Sequence, residues 1–83
     1  MFYTYVLKSL MNNSYYVGSC NDIERRLSLH NSGKVVSTKR YAPWKLVHSE
    51  EHKSLSEAIK RERQIKSWKK RSAIENLFKK GLQ

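Results

Sequence analysis

The sequence predicts a small α+β domain: a three-stranded antiparallel sheet, made of a β-hairpin and one later strand, with helices packed on it. Three observations carry this reading. Near the N-terminus, two segments rich in aromatic and β-branched residues flank a turn-forming tetrapeptide. Further on, two segments repeat apolar residues at helical spacing, and each is preceded by a residue able to cap a helix. The resulting order, β-β-α-β-α-α, belongs to a sheet with helices packed against it. At 83 residues the chain is expected to form one domain over residues 1–83. A chain this short buries only about 60 % of its unfolded surface, so its core is small.

The elements follow in order. Phe2–Ser9, FYTYVLKS, reads as a strand, and Tyr15–Ser19, YYVGS, as its hairpin partner. Between them MNNS, Met11–Ser14, is turn chemistry, because Asn and Ser side chains bond nearby backbone and tolerate unusual dihedrals. Gly18 marks a bend or a close approach in the second strand. Asn21 or Asp22 caps a helix that runs to about Asn31, with Gly33 at its C-terminal end. Lys34–Pro43 reads as a basic loop with a short extended piece, and Trp44–Glu51 as the third strand. Ser54 and Glu57 form a capping-box pattern that opens a second helix. A short third helix starts at Ser72 and closes at Gly81.

Charge narrows the partners. Seventeen Lys and Arg stand against seven Asp and Glu, a formal net charge of +10. Such an excess favours polyanions, and nucleic acid first among them. No apolar run is long enough to span a membrane. A basic helix lying on anionic lipid is disfavoured, because the second helix needs its apolar face for the core. The N-terminal residues lack the basic start and cleavage site of a signal peptide. Cys20 is the single cysteine, which rules out an internal disulfide and agrees with a reducing cytoplasm.

Some polar residues fall where apolar ones belong. Around the first helix, Ile23 and Leu27 define the buried stripe, and Arg26 and His30 fall on the same side. On the second helix Leu55, Ala58, Ile59 and Ile65 mark the apolar face, with Glu62 in its middle. A charge facing a core costs several kcal/mol unless it is paired or coordinates something. Two explanations stand side by side: an internal Arg26–Glu62 ion pair, or a cleft between sheet and helices where these side chains meet a ligand. An acid, a cation, a histidine and tyrosines together suit metal-assisted phosphate chemistry. Trp44 and Trp68 are expected to pack against the core, and Cys20 to be a small buried residue.

In these residues the chain resembles the GIY-YIG nuclease superfamily, specifically its small single-domain members. Tyr3-Thr4-Tyr5 corresponds to the first motif and Tyr16-Val17-Gly18 to the second. Arg26 follows Gly18 by eight residues, and His30 comes four later. The segment SEAIKRERQIK resembles the family's metal-binding helix, with Glu62 at the acidic position. The resemblance implies a divalent-metal-dependent endonuclease that hydrolyses phosphodiester bonds. It assigns catalytic roles to Tyr5, Tyr16, Arg26 and His30, one Mg²⁺ or Mn²⁺ ion to Glu62, and a structural role to Gly18. In that reading Tyr5 helps activate water, Arg26 holds phosphate oxygens, His30 takes a proton from Tyr5 or orients it, and Tyr16 positions water or substrate. Lys34, Lys39, Arg40, Lys45 and Lys66 are the candidates for contacting nucleic acid, DNA ahead of RNA. No separate targeting domain is evident, which leaves room for a protein partner that supplies one. The alternative is a non-catalytic DNA- or RNA-binding module that keeps the fold.

Overall fold

The computed structural model describes residues 1–79. Its elements are β1 (Phe2–Ser9), β2 (Tyr15–Cys20), α1 (Ile23–Asn31), β3 (Trp44–His52), α2 (Leu55–Ser67) and α3 (Arg71–Glu75), with a short 3-10 turn at Lys39–Tyr41 before β3. The three strands form one antiparallel sheet in the order β2-β1-β3. The α+β class read from the sequence is the one observed. The first strand is therefore the central one, paired on both edges, and it carries the run of buried residues Thr4–Leu7.

Strand alternation divides the core into two layers. Tyr5, Leu7, Cys20 and Trp44 pack on one face of the sheet with Ile23 and Leu27 of α1. Val6, Val17 and Ile65 pack on the other face with Trp68 of the α2 terminus and with Ile74 and Leu77 around α3. The sheet is thus covered on both sides, by α1 and by the α2–α3 pair.

Local chemistry sets the boundaries. Asn13 takes a positive φ of 64° at the hairpin turn, and the Ser14 amide donates to Asn12 Oδ1 at 3.1 Å. Asp22 caps α1, accepting from the Arg25 amide at 3.1 Å. Gly33 follows α1 with φ 78°, a left-handed conformation that favours glycine. Ser54 caps α2 by accepting from the Glu57 amide at 3.2 Å. Leu55 is the first residue of α2 and is 45 % exposed, so it is not part of the apolar face that its spacing predicted. The third helix begins one residue earlier than expected, at Arg71, and ends at Glu75 in turns over residues 76–78, well short of the expected closure at Gly81, which lies outside the described residues.

The basic loop is the largest departure. Lys34–Pro43 contains no extended strand; it folds into turns and the 3-10 turn. The sheet's two edges are already set by β2 and β3, and the loop is tied down instead. Trp44 Nε1 donates to the Thr38 carbonyl at 2.9 Å, Ser9 Oγ to the Tyr41 carbonyl at 2.6 Å, and the Leu10 amide to the Pro43 carbonyl at 2.9 Å. At the loop's exit, Asn31 brackets the first residue of β3. Its Oδ1 accepts from the Trp44 amide at 2.6 Å and its Nδ2 donates to the Trp44 carbonyl at 3.1 Å. Among the described residues no helix is long and apolar enough to cross a membrane.

The Asn31 bracket holds the end of α1 to the start of β3. Replacing Asn31 by Ala leaves the amide of a buried residue without its partner, and the expected loss of stability is about 1–3 kcal/mol by chemical denaturation. A change below the error of the measurement would show that water replaces the side chain without cost.

Candidate active site

The site begins at the pairing of β1 with β2. Tyr5 sits opposite Gly18 in the register, and Tyr16 opposite Leu7. The Tyr5 ring lies over Gly18 so closely that a Cβ there would stand 2.6 Å from the Tyr5 hydroxyl oxygen and 2.7 Å from the ring carbon bearing it. The absence of a side chain at residue 18 lets the phenol cross β2. Tyr5 is 3 % exposed, and its ring centroid lies 6.3 Å from that of Tyr16.

From there the Tyr5 hydroxyl reaches His30 Nε2 at 3.0 Å. His30 is the buried residue of α1, with no exposed surface, and its ring stands edge-on to Tyr16 at a centroid distance of 4.9 Å. Its second nitrogen, Nδ1, is 2.7 Å from Thr38 Oγ1. Thr38 is 1 % exposed and comes from the basic loop. Three buried polar groups from a strand, a helix and a loop therefore form one hydrogen-bonded chain. Among the described residues no buried side-chain nitrogen or oxygen lacks a partner.

Arg26 differs from its expected placement. It is exposed, not on the buried stripe, because the stripe of the nine-residue α1 is narrow and Arg26 stands at its edge. It borders a cleft of about 140 Å³ lined by Cys20, Asn21, Asp22, Arg25, Arg26 and Leu29. Neither the tyrosines nor Glu62 lines this cleft, so it is not the single cleft between sheet and helices that the sequence predicted. The guanidinium still acts on the buried groups: its charge opposes the rise in the Tyr5 pKa and adds to the fall in that of His30.

Glu62 lies across β2 from the tyrosines. Ser19, whose side chain points to the opposite face from Gly18, donates its hydroxyl to Glu62 Oε1 at 2.7 Å. Lys66 donates to Glu62 Oε2 at 2.6 Å, one turn along α2. Among the described residues no Arg26–Glu62 ion pair forms. The Glu62 charge is nevertheless felt at Tyr5, where it adds to the upward shift. Lys34, Lys39, Arg40 and Lys45 are all exposed. The first three flank the loop that carries Thr38, whereas Lys45 stands opposite Lys8 on β1. Trp44 and Cys20 are buried, and Trp68 is half-buried under Arg61.

The electrostatics separate the two buried titrating groups. Burial pushes the Tyr5 phenol far above its usual range, and Tyr16 adds to this; Arg26 pulls the other way without cancelling it. Burial lowers the pKa of His30, and Arg26 lowers it further. At neutral pH the phenol holds its proton and the imidazole is neutral.

Two members of this arrangement, Thr38 and Ser19, carry no motif in the sequence. Thr38 sits in a loop without periodicity, and nothing in its neighbours marks it as buried. Ser19 was within reach: alternation along β2 places it opposite Gly18 in facing, towards the helix that carries Glu62.

A sheet with a tyrosine from each hairpin strand, a glycine between them, and an arginine and a histidine from the next helix defines a class. A model of the GIY-YIG catalytic domain matches residues 1–76, and the chain belongs to the GIY-YIG family, whose members are in general nucleases acting on nucleic acid. Within that family its relatives are UPF0213 proteins. It is 37 % identical over 73 residues to UPF0213 protein SH2523 of Staphylococcus haemolyticus, covering 87 % of this chain and 88 % of that one. It is 47 % identical over 66 residues to a UPF0213 protein of Syntrophus aciditrophicus, covering 77 % and 75 %. The solution NMR structure of UPF0213 protein BH0048 from Bacillus halodurans superimposes with a TM-score of 0.56 at 33 % identity, over 93 % of this chain and 82 % of that one.

Two measurements check the geometry. Gly18→Ala drives a methyl into the Tyr5 phenol, and the expected destabilisation is about 1–3 kcal/mol, as for overpacking of a filled core; a neutral substitution would mean that the ring moves freely. For His30 the folded pKa lies below the ordinary value of about 6.5. As pH falls through that ordinary value the unfolded chain takes up a proton that the native chain refuses. Its contribution to stability is therefore complete above about pH 6.5 and is lost as pH falls towards the lower folded value. The Tm is expected to drop on acidification from about pH 7 to about pH 5, with a shallower slope in His30→Gln; equal slopes would show that His30 is not the group responsible.

Proposed function

We propose that the protein is a divalent-metal-dependent endonuclease in which Tyr5 and His30 move the proton of the attacking water. The observation that carries this reading is the buried contact of 3.0 Å between the Tyr5 hydroxyl and His30 Nε2 beside Gly18. A phenol whose pKa is raised by burial is a poor base alone. Paired with a neutral imidazole it becomes a relay. The phenol oxygen accepts a proton from water while its own proton passes to His30 Nε2. The resulting hydroxide attacks phosphorus, a new P–O bond forms, and the P–O bond to the leaving oxygen breaks, its electron pair staying on that oxygen, which takes up a proton from solvent water. Arg26, exposed and beside the relay, binds the non-bridging phosphate oxygens, where its planar fork suits a bidentate contact. Tyr16, half-buried and against His30, positions the water or the substrate.

Glu62 is the residue that would hold the Mg²⁺ or Mn²⁺ ion. Its donor set fits a hard cation that keeps most of its waters: one carboxylate next to a hydroxyl, Ser19, both oxygen ligands. Bound there, the ion would supply Lewis-acid stabilisation of charge on the phosphoryl group and leaving oxygen. The Lys66 partner is half exposed, and exposed pairs of this kind contribute little, so it can yield the carboxylate and turn to phosphate. Lys34, Lys39 and Arg40, in the loop around Thr38, would then guide the polyanion, DNA ahead of RNA, and Lys45 would extend the basic surface along β3.

Labelled DNA and RNA structures incubated with Mg²⁺ or Mn²⁺, and with EDTA in parallel, test this reading. Cleavage is expected with metal only, and Glu62→Gln is expected to lower kcat by at least about 100-fold at equal folded concentration. Tight, salt-sensitive binding without cleavage of any substrate would replace it with a nucleic-acid-binding module.

A further inference from the structure

The hydrogen-bonded chain continues one residue past the relay, and its direction can be assigned from the network. The Tyr5 phenol is protonated, and His30 Nε2 is its hydrogen-bond partner among the described residues. A phenol with one proton and one neighbour donates to that neighbour. At the other end, Thr38 Oγ1 lies 2.7 Å from His30 Nδ1 and has the Val35 carbonyl at 3.4 Å as an acceptor for its own proton, so it is able to accept from Nδ1. One assignment satisfies every group: Tyr5 O–H to Nε2, Nδ1–H to Thr38 Oγ1, Thr38 O–H to the Val35 carbonyl.

We propose that Thr38 is a positioning residue that fixes the His30 tautomer with its proton on Nδ1, leaving Nε2 free to receive the proton of Tyr5. A neutral imidazole has one acceptor nitrogen, and which one it is depends on the partner of the other. With an acceptor at Nδ1, the lone pair is held on Nε2, where Tyr5 stands. Without it, the proton can move to Nε2, and the ring then meets the phenol with a donor and the relay stops.

The fold is built to hold Thr38 in this place. The Trp44 indole donates to the Thr38 carbonyl at 2.9 Å, and the Thr38 amide donates to the Val35 carbonyl at 3.1 Å. Trp44 is in turn bracketed by Asn31, the last residue of the helix that carries His30. Helix, strand and loop thus close a ring of contacts around the imidazole. The neighbours of Thr38 in sequence, Ser37 and Lys39, are exposed, while Thr38 alone turns inward.

The catalytic consequence rests on the relay proposed above, but the tautomer does not, and the experiment separates them. Long-range ¹H–¹⁵N NMR of the imidazoles, recorded above the histidine titration range, identifies the protonated nitrogen of His30 in the full chain. In the wild type the proton is expected on Nδ1. Thr38→Val, which keeps the shape and removes the acceptor, is expected to shift His30 towards the Nε2–H form. It should lower kcat by about 10–100-fold with KM unchanged, as loss of a residue that orients a functional histidine does. Thr38→Ser keeps the hydroxyl and is expected to keep both the tautomer and kcat. A proton on Nε2 in the wild type would overturn the proposal, and so would an unchanged tautomer in Thr38→Val. If Thr38→Val does not fold, the wild-type spectrum and Thr38→Ser decide. If no nucleic acid is cleaved, the nuclease reading fails while the spectra still settle whether Thr38 positions His30.

Discussion

The Tyr5 ring occupies the space where a side chain at residue 18 would stand, and much of the molecule is arranged around that fact. A residue with a Cβ at this position would push the phenol off β2, away from His30. With glycine there, the ring of a central-strand tyrosine reaches over its neighbour strand and delivers its hydroxyl to a helix on the same face. A Cβ there would also stand 3.1 Å from a ring carbon of Tyr16, which packs against the same imidazole. One missing side chain thus organises two tyrosines and a histidine.

Burying this group has an electrostatic consequence. A dry interior favours the neutral form of every titrating group, so it raises the phenol and lowers the imidazole together. The two pKa values are driven apart in the direction that keeps the proton on Tyr5 at rest. Each polar atom in the chain has a partner, as burial requires, because an unpaired buried donor or acceptor costs about 1–3 kcal/mol. Arg26, which stays in solvent, tunes both groups from outside.

The edge strand β2 works as a thin partition. Gly18 faces α1 and the tyrosine–histidine chain; Ser19, its neighbour, faces α2 and holds Glu62. Glu62 and the tyrosine–histidine chain approach each other from opposite faces of the sheet, and the charge of Glu62 is felt at Tyr5 without direct contact. An ion pair between Arg26 and Glu62, which the sequence left open, is not needed to explain either residue.

Much of this was written in local sequence. The hairpin, the Asp22 and Ser54 caps, the third strand and both long helices follow from alternation, helical spacing and capping chemistry, which act over a few residues and are visible there. Tyr5, Tyr16, Gly18, His30 and Glu62 stood out as polar or small residues within ordered patterns. The exposure of Arg26 and Leu55 was not legible, because a helical stripe fixes an angle around the axis and not the edge of the surface that covers it. The short extended piece that composition predicts in Lys34–Pro43 does not form, since the loop's shape is imposed by Trp44 and Ser9 from outside it. The sequence by itself determined the class of fold and marked the polar and small residues that break its apolar patterns. Only the tertiary structure decided that Thr38 meets His30 and that Glu62 lies across β2, because both depend on contacts between segments that no local pattern relates.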